Sequence, residues 1–140
     1  MLQAKYFPKS YPLPGVQALL STLVSTQKTT SPVYMALAML SQTKTYKMKM
    51  DHLEDLFSVF PQLQCILGDD LWIGSGWGKP LPDIYLIALE SINAAIQEKG
   101  KESKIKLEKY LVFEDAVPGV EAGCRAGNWD VGDLVSTPRS

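Results

Sequence analysis

Apolar residues recur at two different periods along this 140-residue chain. After Gly15, residues Val16, Leu19, Leu20, Leu23 and Val24 repeat at i, i+3, i+4, which predicts a helix of about three turns. Thr29-Thr30-Ser31-Pro32 breaks it. Val33 to Leu40 is apolar without alternation, the pattern of a strand buried on both faces of a parallel sheet. Tyr46, Met48, Leu53, Leu56, Phe57 and Phe60 mark a helical region that ends at Pro61, and Gln64-Cys65-Ile66-Leu67 is a short strand closed by Gly68-Asp69-Asp70. Residues 71–79 read as a Gly-rich loop. Pro82 and Asp83 suit the first turn of a helix whose buried stripe is Ile84, Ile87, Ala88, Ile92 and Ala95. Lys99 to Lys109 carries five lysines among glutamates and reads as a solvated connection. Tyr110 to Phe113 is a third strand, ending in Glu114-Asp115, and Val117 to Gly127 is a last helix with Cys124 on its core side. Strands and helices taken in turn are the alternation of a parallel α/β sheet.

Composition narrows the class. With 46% hydrophobic and 21% charged residues, the chain has the profile of one soluble globular domain, with a single core and no room for a second domain of ordinary size. A net charge of −1 argues against nucleic-acid or membrane-surface binding driven by bulk charge. The longest apolar run, Val33 to Leu40, falls far short of the roughly 20 residues of a membrane span, and no apolar stretch of signal-peptide length opens the sequence. Cys65 and Cys124 form no CxxC pair and are expected to be reduced thiols of a cytoplasmic protein. A single histidine, His52, excludes HExxH chemistry and reads as an exposed helix residue.

In an open α/β sheet, chemistry gathers at the carboxyl ends of the strands. Three such ends are visible here: Met39-Leu40-Ser41, Gly68-Asp69-Asp70 with the loop to Lys79, and Glu114-Asp115. A lysine and a carboxylate pair converging there would bind a phosphate and a hard divalent cation. Gly74-Ser75-Gly76-Trp77-Gly78-Lys79-Pro80 is not a P-loop: three residues rather than four separate Gly74 from Gly78-Lys79, and Pro80 stands where a Ser or Thr is required. GxGxxG fails at Lys79, and GxSxG fails at Ile73. Asp69 and Asp70 are expected to cap the lysine loop; Trp72 and Trp77 are expected to pack locally.

Two longer motifs carry a resemblance. Gly78-Lys79-Pro80-Leu81-Pro82-Asp83-Ile84-Tyr85, followed by Leu111-Val112-Phe113-Glu114-Asp115-Ala116-Val117-Pro118-Gly119-Val120-Glu121-Ala122-Gly123, resembles the haloacid dehalogenase-like hydrolases. The likeness is greatest to small-phosphometabolite phosphatases of the pseudouridine-5′-phosphatase type, and it covers roughly residues 13–127. It implies a three-layer α/β/α Rossmann-like parallel sheet and Mg²⁺-dependent hydrolysis of a small phosphate monoester, such as a nucleotide or sugar phosphate, through an aspartyl-phosphate. By the same likeness Lys79 holds the phosphoryl group, and Glu114 and Asp115 bind Mg²⁺ directly or through water. Ser41 stands near the family's phosphate-binding hydroxyl but two positions late, since that hydroxyl normally falls where this chain has Met39.

The sequence also departs from the family pattern. No Asp-x-Asp occurs in it, and no aspartate precedes Asp51. Residues 1–14 resemble the exit from a helical cap, residues 15–127 a partial core without its central first strand, and residues 128–140 a divergent polar tail. The expectation is therefore an N-terminally truncated phosphatase, from an aberrant gene model or splice form, that is inactive for want of its nucleophile. The alternative is a non-catalytic remnant or a binding module using open sheet edges. The expected partner is a small phosphorylated metabolite, with neither nucleic acid nor membrane involved; oligomeric state is not legible.

Overall fold

A computed structural model of the chain describes residues 5–69, 81–100, 103–127 and 131–132. Helix α1, Val16–Thr26, begins after Gly15, whose φ of 88° is left-handed backbone that glycine adopts without strain. Strand β1, Leu37–Met39, follows. The polar stretch after Ser41 then forms α2, Thr43–Met50, a 3₁₀ turn at Asp51–Leu53 and the short α3, Glu54–Phe57. Strand β2, Cys65–Leu67, lies parallel to β1 with Leu37 opposite Cys65 and Met39 opposite Leu67.

Helix α4, Asp83–Glu98, is the longest element and the one around which the core assembles. Its stripe of Ile84, Tyr85, Ala88, Leu89, Ile92 and Ile96 is buried, and it packs against both β1 and β2. Beyond α4, the connection read as solvated is largely exposed but pinned at one point. The Asn93 side chain accepts from the Ile105 N–H at 2.7 Å and donates to the Ile105 carbonyl at 3.1 Å. Strand β3, Val112–Phe113, pairs in parallel with β4, Val131–Gly132, and α5, Val117–Arg125, runs between them and packs on α4. Ile66, Ile84, Tyr85, Ala88, Val112, Ala122 and Ala126 form one buried cluster drawn from both strand pairs and both helices.

The chain is thus a mixed α/β fold with parallel strand pairing, a partial Rossmann-like core. Its strands are shorter than the apolar runs that announce them. Of Val33 to Leu40 only Leu37–Met39 is laddered; those three residues are half-buried, and Val33 and Leu40 are 42% and 40% exposed. Burial on both faces is therefore not what the structure shows. The ladder can run no further than the three-residue partner β2, and among the described residues β1 has no neighbour on its other edge. Cys124, expected in the core, is exposed, because Ala122 and Ala126 hold the inward face of α5. Among the described residues no helix is long and apolar enough to cross a membrane.

Candidate functional site

At the carboxyl end of β3 the chain turns into α5, and Glu114 folds back over that turn. Its Oε1 accepts the backbone N–H groups of Asp115 at 3.1 Å and Ala116 at 3.2 Å. An anion there meets amides at a helix start, where the aligned peptide dipoles favour negative charge. Its Oε2 accepts from the Tyr85 hydroxyl at 2.7 Å, which ties the β3 exit to the first turn of α4. Gly119 makes room for this arrangement: a Cβ built there would run into the Glu114 carboxylate. Burial first, and then the bond to Glu114, push the Tyr85 phenol well above the usual tyrosine range, so it stays protonated and donates. Tyr110, raised by burial, donates in turn to the Tyr85 backbone carbonyl at 3.0 Å. Asp115, next to Glu114, is exposed.

The β1 and β2 exits form a second rim. The Gly68 N–H donates to the Ser41 carbonyl at 3.1 Å, and the approach is close enough that a Cβ at Gly68 would meet the Leu40 carbonyl. The Ser41 hydroxyl accepts from Lys49 Nζ at 3.2 Å. Asp69 accepts from the Thr43 N–H, 3.0 Å from each carboxylate oxygen, and from the Thr43 hydroxyl at 3.0 Å, so it caps α2 from across the fold.

Of the residues expected to carry chemistry, Glu114 and Asp115 stand side by side at the β3 exit, and Ser41 stands at the β1 exit joined to that of β2. Lys79 lies outside the described residues, as do Asp70, Trp72, Trp77 and the Gly74–Pro80 loop. Asp69 was expected to cap the lysine loop; its carboxylate is bonded to Thr43. His52 is exposed, as expected, and its Nε2 lies 2.6 Å from the Ser10 carbonyl. Sequence reasoning gave Tyr85 no role, although it ends the first quoted motif at the third position of a helix, where an inward side chain reaches the neighbouring strand end. Nothing in local spacing points to Lys49 as the partner of Ser41. Glu114 and Asp115 offer hard oxygen donors, the type that suits Mg²⁺, which commonly takes one or two carboxylates and completes its shell with water and phosphate. Among the described residues no group of three or more acidic, histidine or cysteine side chains gathers, here or elsewhere, so Glu114 and Asp115 stand as a pair.

Known proteins of similar sequence place the chain. It is 36% identical over 87 residues to a probable pseudouridine-5′-phosphatase of Saccharomyces cerevisiae, covering 62% of this chain and 34% of that protein. It is 31% identical over 121 residues to (DL)-glycerol-3-phosphatase 2 of Arabidopsis thaliana, covering 86% of this chain and 43% of that protein. The chain is related to the haloacid dehalogenase-like phosphatases. An uncharacterized protein of Schizosaccharomyces pombe is 33% identical over 127 residues, 91% of this chain and 48% of that protein. The chain thus spans about half, or less, of the length of these curated relatives. No family model matches it.

Proposed function

We propose that these 140 residues carry the cation- and phosphate-holding part of a Mg²⁺-dependent phosphomonoester hydrolase, acting on a small phosphorylated metabolite in the cytoplasm. In this reading residues 15–127 are a partial core, residues 1–14 lead in from a cap, and residues 128–140 are a divergent tail. Lys79 neutralises a non-bridging phosphoryl oxygen, and the Ser41 hydroxyl, oriented by Lys49, contributes a hydrogen bond to the same group. Glu114 and Asp115 hold the cation; when bound, it withdraws charge from the phosphoryl oxygens and so favours attack at phosphorus. The attacking group in such chemistry is a carboxylate, and these residues contain no Asp-x-Asp to supply one. The chain by itself therefore binds and does not turn over.

One observation carries this reading above the rest. A carboxylate fixed by a buried phenol and two helix-start amides sits beside an exposed aspartate at a strand exit, in a chain related to phosphatases. Calorimetric titration of the purified chain with Mg²⁺ and inorganic phosphate together is expected to show binding. Asp115→Asn and Lys79→Ala are each expected to weaken it at least tenfold, on the order of what losing a charged ligand costs. In parallel, a generic phosphate monoester with Mg²⁺ is expected to give no release above buffer. Absent binding overturns the site, and turnover abolished by Asp115→Asn overturns the inactivity.

A further inference from the structure

The two acids at the β3 exit are held in different ways, and Tyr85 makes the difference. Tyr85 is only 4% exposed, and its hydroxyl is aimed at Glu114 Oε2 from the first turn of α4. Tyr110, two positions ahead of β3, locks the Tyr85 backbone from the other side. Both lone pairs of Glu114 Oε1 are occupied by the amides of Asp115 and Ala116. The Tyr85 hydroxyl fixes the direction of the other oxygen, Oε2. Asp115 is exposed, and among the described residues its carboxylate has no such clamp.

We propose that Tyr85 is a positioning residue for the cation site, orienting Glu114 so that it offers one fixed oxygen while Asp115 supplies the adjustable carboxylate. The inference rests on the acid pair being the cation site of the proposed function. Outer partners of this kind orient ligands and tune affinity without touching the metal. Phenylalanine at position 85 fills nearly the same buried volume and lacks only the donor.

Mn²⁺ is the probe, a hard cation of oxygen sites whose binding to the full chain is counted by electron paramagnetic resonance. Tyr85→Phe is expected to weaken Mn²⁺ binding about tenfold or more. In a Glu114→Ala background the same substitution is expected to cost nothing further, whereas a merely structural role would weaken binding equally in both. Should Tyr85→Phe fail to fold, the wild-type chain with ¹³C-labelled tyrosine serves instead. Its Tyr85 ring is expected to broaden on Mn²⁺ addition, since the phenol oxygen lies 2.7 Å from the ligating oxygen. An unbroadened Tyr85 at saturating Mn²⁺, or equal losses in the two backgrounds, overturns the inference. Binding that Asp115→Asn removes and Tyr85→Phe leaves intact overturns it too, while sparing the proposed function. No Mn²⁺ binding by the wild type overturns both.

Discussion

Asp69 accepts hydrogen bonds from a residue 26 positions earlier, the Thr43 amide and hydroxyl. The Thr43 backbone N–H is the main reason that its carboxyl lies below the ordinary aspartate value of 3.8. A depressed folded value means that the interaction stabilises fully above the unfolded pKa and is lost as pH falls through the folded one. Wild-type thermal stability is therefore expected to drop on acidification below about pH 4, and Asp69→Asn to flatten that limb, with the two curves converging at the acid end. A set of melting curves across pH 2.5–7 checks it (the range being roughly that over which carboxylates titrate). Parallel curves would show that the cap contributes nothing. This bond was not legible in the sequence, because Asp69 and Thr43 meet only once β1 and β2 have paired. Glu114 and Asp115 were legible, since an acid pair straight after an apolar run needs only the strand to place it. Tyr85 was missed: the stripe read from helical period held Ile87 and Ala95, whereas the buried face of α4 holds Tyr85, Leu89 and Ile96 beside Ile84, Ala88 and Ile92.

Among elements, α4 carries the most. Ile84 is 1% exposed and sits between the β strands and α5 in the shared cluster. Ile84→Ala is expected to cost about 2–5 kcal/mol, a large fraction of the roughly 5–15 kcal/mol that holds a typical domain. Ile84→Val is expected to cost about 0.5–1.5 kcal/mol, and urea unfolding followed by circular dichroism compares the two. A cost for Ile84→Ala no greater than for Ile84→Val would remove α4 from the centre of the core. The helices were well announced, α1 and α4 by their apolar stripes, and α5, Val117–Arg125, lies within the helix read over Val117 to Gly127. The strands were announced in place but not in length. Val33 to Ala36 is as apolar as Leu37–Met39 and stays outside the ladder, because pairing length is set by the partner and not by the run. Strand β4 was missed altogether. Val131–Gly132 lies in a polar stretch and becomes a strand only through its pairing with Val112–Phe113.

For the molecule as a whole, the sheet comes in two parallel pairs, β1–β2 and β3–β4, with no ladder between them among the described residues. Without a central strand, two edges would have either to pair with each other or to stay exposed, and among the described residues β1 and β3 do not pair. Leu111 and Phe113, flanking and ending β3, are 47% and 46% exposed. Unpaired edges beside exposed apolar side chains invite pairing with other chains. Sedimentation is expected to show association that grows with protein concentration, and Phe113→Lys to reduce it; a wild-type monomer across the whole range would refute this. The tie between the β1 and β2 exits has a consequence for the order of events. Gly68 to Ser41 and Asp69 to Thr43, 27 and 26 positions apart, cinch the stretch between them at its neck. Closing a loop of that size costs little more entropy than closing a much shorter one, and contacts near in sequence are made soonest. Topology thus favours that knot of chain as an early nucleus, standing before α4 arrives to join the two halves.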